Sequence, residues 1–397
     1  MQFRRFRETI FLTYLGLAIL SLVACSENPE SALVRRVDSA GVEIIHSSGV
    51  DRMLDWEFDR QFVLGGAEEG PEAFYTLYGR YIGVDGKGNL YVLDPSNHRV
   101  VVFTPDGQYV RSVGSRGEGP GEFETVGSFW VGPDGSVAVF DFGKAALVWF
   151  DPSGEPVDQE AFRHYPTPND QRHFARLDDV TFVSKTIFGG GEDGPREILQ
   201  SVTDADTVQL AEARIPPIEM AMFPQCGGGL RLPPLFTTEL KWDVRSEIMV
   251  VSASPVYSVS VLENGEVSRI VRRELPVQAA TRELAIAHLG DGVTFNFGHG
   301  PCVIDAAEMA EKRGFAEVVP QIQSVLLGPT GELWVRRFVI GKDSLGPVDV
   351  FDEGGVYQGT ISLPSLNPVL LLPNDRFAAI DKDELDIERL VVLAIRK

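Results

Sequence analysis

Residues 84–123, VDGKGNLYVLDPSNHRVVVFTPDGQYVRSVGSRGEGPGEF, set short runs rich in Val, Leu, Tyr and Phe between the turn dipeptides Asp85-Gly86, Asp94-Pro95 and Asp106-Gly107. Apolar runs punctuated at this spacing predict consecutive antiparallel strands joined by tight turns. The unit recurs. VDGKGNLYVLD (84–94) aligns with VGPDGSVAVFD (131–141), placing Asp94 on Asp141 at an offset of 47, and Phe103 and Gly107 fall on Phe150 and Gly154 at the same offset. LGPTGELWV (327–335) repeats the first turn and second strand, VDVFDEGGVYQGTISL (348–363) the third and fourth, and LLLPNDRFAAID (370–381) with IERLVVLAIRK (387–397) a worn copy.

A repeat near 50 residues with four strands per unit predicts propeller blades. The expected fold is all-β, a six-bladed β-propeller over 56–397. Two blades with eroded repeats fit between 160 and 275, on DDVTFVSKTIF (178–188) with REILQSVTDADTVQLAEARI (196–215), and on ELKWDVRSEIMVVSAS (239–254) with VYSVSVLENGEVSRIVRREL (256–275). FVLGGAEEGPEAF (62–74) parallels RSVGSRGEGPGEF (111–123) but lacks a blade before it. It therefore reads as an outermost strand whose N-terminal part, 58–64, completes the last blade, a closure that leaves no open sheet edge. Residues 279–318 break the pattern with two helix-like pieces, AATRELAIAHL (279–289) and DAAEMAEKRGF (305–315). Asp305 and Glu308 stand at capping-box spacing and Gly314 at a helix end, predicting a small helical insertion.

The unit G-x-L-Y-V-x-D, R-V, F-x-x-x-G, V-x-x-V-G resembles the NHL-repeat type of six-bladed propeller. Gly88-Asn89-Leu90-Tyr91-Val92, Asp94, Arg99-Val100, Phe103, Gly107, Val110 and Val113-Gly114 carry it, and the second copy lacks the arginine. PQIQSVLLGPTGELWV (320–335) is similar to the corresponding strand pair in bacterial six-bladed propeller lipoproteins. The resemblance implies the fold; activities on such scaffolds range from none to hydrolase and lyase, so function has to be argued from a site.

The N-terminus adds an address. Arg4, Arg5 and Arg7 precede an apolar run from Ile10 to Ala24 and then Cys25, a charged region and core of signal-peptide length. Leu22-Val23-Ala24-Cys25 resembles the bacterial lipobox, which implies residues 1–24 as a signal peptide, Cys25 as the lipidated residue and 25–55 as a tether, with VEIIH (42–46) a further edge strand. Ser26, not Asp, follows Cys25, which favours the outer membrane over inner-membrane retention. An exported pair of remaining cysteines, Cys226 and Cys302, is expected to form a disulfide, two free thiols being the alternative.

Charge narrows the partners. The chain carries −21 at pH 7, and removing 1–24 makes it more acidic still. Phosphate backbones repel such a surface, and no Lys/Arg-rich run with interleaved aromatics follows residue 7, so nucleic acid is not an expected partner. The expected function is a cell-envelope binding or scaffolding platform for a protein, peptide or glycan, joined to the membrane through the lipid alone and needing no cofactor.

The alternative is a hydrolase or lyase of lactonase type, with calcium in the central channel and His299 or His98 moving a proton. Glu124, Asp179, Asn296 and Asp381 are carboxylate and amide candidates for that metal; His164, His173 and His299 could in principle form a three-histidine site, but no short spacing supports one. Arg99, Arg116 and Glu118 are candidates for a polar rim on the ligand face, while Asp94 and Asp141 read as turn-holding residues. No G-x-S-x-G, H-E-x-x-H, P-loop or EF-hand pattern is present. The segment 218–236, IEMAMFPQCGGGLRLPPLF, is apolar enough for an interface or for packing over a blade.

Overall fold

A computed structural model describes residues 33–66, 69–162, 174–178, 181–189, 194–203, 205–296, 300–384 and 387–397. Six blades appear, at 82–113, 126–161, 174–214, 241–273, 322–361 and 367–396, each with its strands hydrogen-bonded in chain order. Burial explains the sequence pattern. The second strands of the first two blades, Leu90–Asp94 and Val137–Asp141, are buried at every position, whereas the outermost strand Pro156–Ala161 is exposed throughout. A blade's inner strands are covered on both faces by its neighbours, so they read as unbroken apolar runs. Six apolar clusters fill the six inter-blade interfaces, from Leu64, Ile82 and Leu390 between the last and first blades to Leu326, Trp334 and Phe377 between the fifth and sixth.

The ring closes as the displaced strand foretells. Glu57–Leu64 pairs antiparallel with Glu388–Arg396, Phe58 opposite Ile395 and Leu64 opposite Leu390. One glycine shows how tightly the seam fits. Gly107 (φ +85°) closes a tight turn in the first blade, and a Cβ there would lie 2.6 Å from the Phe62 ring of the closing strand.

The described residues begin within the span expected as a tether, 25–55, and there the chain is already folded. From Leu33 the chain is built onto the folded body: Leu33–Ser39 and Val42–Ser48 form a hairpin, and the latter pairs parallel with Glu266–Arg273 of the fourth blade, Ile45 opposite Val271. Ile45 is fully buried there, which gives the segment an apolar anchor that a tether lacks. The chain then bonds to the edge of the fifth blade, with Leu54 N donating to Thr360 O (2.9 Å) and Thr360 N to Arg52 O (2.8 Å), before entering the sixth. Residues 33–64 thus run as a belt over three blades. Cys25 lies outside the described residues.

A cap rises from two interruptions. Between the third and fourth blades, Met220–Phe223 and Gly228–Arg231 form a hairpin; between the fourth and fifth lie α1 (Arg282–Leu289), the hairpin Val293–Asn296 with Pro301–Ile304, and α2 (Ala306–Arg313). A bridge between Ala279 and Val318 forms the neck of this insertion. Asp305 caps α2, accepting from Ala307 N (2.8 Å) and Glu308 N (3.3 Å), and Gly314 ends it at φ +71°. The capping box is only half formed. Glu308 turns to Lys312 and Gln225, both at 2.7 Å, and ties α2 to the other hairpin. The cap shares its own core, Phe223, Leu235, Ala285, Leu289 and Met309 among it, and Cys226 is disulfide-bonded to Cys302 with Cα atoms 5.7 Å apart.

Candidate functional site

The face formed by second-to-third and fourth-to-first strand connections carries most of the polar residues singled out above, and on the first two blades they build loops. Asp94 accepts from Asn97 Nδ2 (2.7 Å) and Arg99 Nε (3.0 Å), and Arg99 also donates to Gly70 O (3.1 Å). Asp141 accepts from Glu124 N, Thr125 N and Gly143 N at 2.8–2.9 Å. Lys144 beside it donates to Glu118 O (3.2 Å) and Glu122 O (2.8 Å). These are side-chain clamps on backbone that no sheet ladder satisfies. His98, at φ +53°, has Nε2 3.1 Å from Glu124 O; the Arg116 and Glu118 side chains stay exposed on the same face.

The lactonase-type donors are scattered. Glu124 sits on the loop entering the second blade, Asn296 on the cap hairpin, and Asp381 on the sixth blade with Arg60 at 2.9 Å. Among the described residues no three His, Cys, Asp or Glu side chains come together as metal ligands. Asp179, His164, His173 and His299 lie outside the described residues.

What the same face does hold is a recess of about 280 Å³ where the cap meets the fourth and fifth blades. The 233–239 loop supplies one wall, Phe338–Lys342 another, α1 and α2 the roof, and the first strands of both blades the floor. Phe236, His288 and Phe338 stack against one another with centroids 5.3–6.0 Å apart. Phe236 is held at φ +61°, a left-handed conformation costly for an aromatic residue, so the loop is fixed by its surroundings. Such strain, where seen, tends to mark functional positions.

The recess is cationic inside an acidic protein. Lys241, Arg313 and Lys342 line it with one carboxylate, Glu239, which Lys241 beside it holds below the usual carboxylate range. Arg313 is partly desolvated, which lowers its pKa, and its Nε donates to Pro233 O. His288 is likewise pushed down by burial and then by Arg313. Its Nδ1 accepts from Gly341 N (3.2 Å), which assigns the proton of the neutral ring to Nε2. The side-chain Oε1 of Gln323 is buried with no protein partner among the described residues. An orphaned buried acceptor costs about 1–3 kcal/mol unless a ligand or water reaches it.

A larger cleft, about 690 Å³, opens on the opposite face between the fifth and sixth blades beside the belt. Its charges are largely spoken for: Lys397 pairs with Asp375 (2.6 Å), Arg36 with Glu43 (2.8 Å), and Arg376 donates to Pro105 O (2.8 Å). The cations of the smaller recess are engaged too, Lys241 with Glu239 and Lys342 with Gly292 O (3.0 Å), so what sets it apart is its stacked aromatic wall and the buried Gln323 Oε1. Sequence reasoning missed His288, because Phe236, His288 and Phe338 are brought together by long-range contacts and share no local spacing.

The comparisons agree on the architecture. Residues 83–178 match the family DUF5128, described as a 6-bladed β-propeller. This chain is a six-bladed β-propeller. No curated protein matches it. Among solved structures it is similar to a Bacteroides fragilis protein described as a candidate for export, at 11% identity and TM-score 0.51, covering 89% of this chain and 100% of that one. It is also similar to a DUF4221-family member from Bacteroides vulgatus, at 11% identity and TM-score 0.52, covering 86% of this propeller and 98% of that chain. At these identities the likeness is one of fold.

Proposed function

We propose that this propeller is a binding platform of the bacterial cell envelope, exported and lipid-anchored through Cys25, and that the recess under its cap is where it takes a ligand. The observation that carries this reading is the pairing of an aromatic-lined pocket with a buried, unsatisfied Gln323 acceptor and three basic side chains in a chain of net charge −21. The recess is more polar than the usual apolar ligand pocket, and a few convergent polar groups beside an aromatic wall suit a polar ligand held in one orientation. Its size suits the end of a peptide or a terminal sugar of a glycan. The cations favour a carboxylate on that ligand, and His288 Nε2–H and Gln323 supply a donor and an acceptor to orient it.

The test is calorimetric titration of residues 33–397 with short peptides bearing a free C-terminal carboxylate and with uronic-acid oligosaccharides. Binding by either class is expected, falling at least about tenfold in Phe338→Ala and in Gln323→Leu and unchanged in Arg99→Ala. Equal weakening by all three, or no binding by either class, would remove the recess from consideration. The competing hydrolase or lyase reading is separated by metal content. Stoichiometric calcium or zinc, with a melting temperature lowered by a chelator, would put catalysis ahead.

A further inference from the structure

His288 lines the recess and also fastens the cap to the ring. The cap is rooted at its neck, Ala279 with Val318, and meets the ring again at 338–347, the loop that follows the second strand of the fifth blade. Hydrogen bonds join loop and cap there. Gly341 N donates to His288 Nδ1 (3.2 Å), Lys342 N to His288 O (2.9 Å) and Lys342 Nζ to Gly292 O (3.0 Å). Of these acceptors only the imidazole can be protonated near neutral pH. It accepts at Nδ1 only while neutral; once charged, both ring nitrogens carry hydrogens, and Nδ1–H would point at Gly341 N–H. Gly341 is half-buried and residues 342–344 are exposed, so the loop has room to swing out and water to replace the lost contact.

We propose that His288 is an acid-released latch: neutral, it holds the 338–347 loop against the cap; protonated, it lets that loop, and the Phe338 wall packed on its ring, move off the recess. The charges around the ring favour the latched form. Burial disfavours the imidazolium first and Arg313 of α2 next, while Asp343 on the loop opposes them. The C-terminal end of α1 also favours a cation in its last turn. The other charged groups facing the recess are Lys342 on the same loop, Glu239 on the 233–239 loop and Lys241 on the floor. Because the latched ring titrates lower than a free imidazole, at about 6.5, opening takes up a proton and is favoured as pH falls below that value. That acid also weakens a bound ligand rests on the recess being the site proposed above; the latch itself is measured without one.

The experiment follows amide exchange of residues 33–397, free of ligand, at about pH 7.5 and about pH 5, each rate divided by that of an unstructured amide at the same pH. Ordinary carboxylates stay largely ionised over this window, so histidine is the side chain that changes. Protection of 338–344 should fall about fivefold in acid, the scale of one hydrogen bond, while Leu90–Asp94 and Val137–Asp141 keep theirs. In protein carrying 15N-histidine, the His288 ring should show a bare Nδ1 at the higher pH and a midpoint below about 6.5 that coincides with the loss of protection. Two variants remove the titration. His288→Asn offers a side-chain oxygen near the Nδ1 position, and His288→Phe keeps an aromatic ring with no acceptor; in both, protection of the loop should be independent of pH. The latch is overturned if wild-type protection is unchanged between the two pH values, if it falls equally in either variant, or if His288 titrates at or above about 6.5. A peptide or uronic-acid ligand that binds at about pH 7.5 should bind about fivefold more weakly at about pH 5. Absence of any ligand at either pH counts against the recess as a binding site and leaves the exchange result to decide the latch.

Discussion

Among single residues, Asp349 is the hub of a buried ion-pair network. It is wholly buried and accepts from Arg273 Nη1 (3.0 Å), Arg337 Nη2 (2.6 Å) and the Thr360 hydroxyl (2.7 Å). Asp51 of the belt meets the same two guanidinium groups, at 2.7 Å from Arg337 and 3.0 Å from Arg273. Asp349→Ala would leave the buried Arg273 with only the part-exposed Asp51 as an acidic partner and should cost about 3 kcal/mol in urea unfolding. Asp51 is 37% exposed, so Asp51→Asn should cost only about 1 kcal/mol. That cost should depend on pH. The hydrogen bond from Arg337 leads in lowering the Asp51 pKa, so its stabilisation is complete above the unfolded carboxylate value near 4 and fades as pH falls through the lower folded value. Wild type and Asp51→Asn should therefore differ at pH 7 and converge towards pH 3. A difference constant with pH would mean the contact contributes by packing alone. None of this was legible in the sequence, since Asp51 and Arg337 stand 286 residues apart. Asp94 was legible because it acts on its own turn, and Asp141 only in part, since besides Gly143 N it takes Glu124 N and Thr125 N from a loop 17 and 16 residues away.

Among elements, the first two and the fifth blades were readable because they keep Asp-Gly, Pro-Asp-Gly and Pro-Thr-Gly turns, whose chemistry fixes strand ends locally. The third and fourth have lost those residues and were placed by spacing alone. The second helix of the cap was visible from its ends, Asp305 and Gly314, and the first only as a helix-like run whose N-cap, Thr281, went unread, while the assembly of the cap from two distant insertions was not visible at all. Its recess was hidden for the same reason. The disulfide is the covalent link between those insertions, beside their shared core. It closes a separation of 76 residues that includes the whole fourth blade, for which chain entropy alone gives about 4 kcal/mol. Because that blade is held independently by its neighbours, the loss should fall on the cap. Cys226→Ser with Cys302→Ser should speed amide exchange in 220–231 and 293–304 and leave the first two blades protected as before. Uniform deprotection of all blades would show instead that cap and ring unfold together.

For the whole molecule, the question is which part of the N-terminal belt holds the ring shut. A propeller whose last blade lacks its outer strand presents an open edge, exposing the ladder groups of Glu388–Arg396 and, with Phe58 and Val63 gone, the apolar side chains of Phe377, Leu393 and Ile395. The hairpin at 33–48 adds to a blade that already has four strands, so its removal uncovers Ile45 and its contacts but opens no seam. Burial of one isoleucine and its hairpin partners is worth a few kcal/mol at most. A chain beginning at residue 50 should therefore fold cooperatively and melt only a few degrees lower. A chain beginning at residue 66 loses Glu57–Leu64, and with it the Phe62 contact over Gly107 that locks the last blade against the first. It should lose the cooperative transition and associate through the bared edge, seen as early elution on size exclusion. If both truncations melt alike, closure resides in the inter-blade cores and not in the strand exchange. The displaced repeat at 62–74 argues against that outcome, since the sequence places this strand at the far end of the chain from the blade it completes.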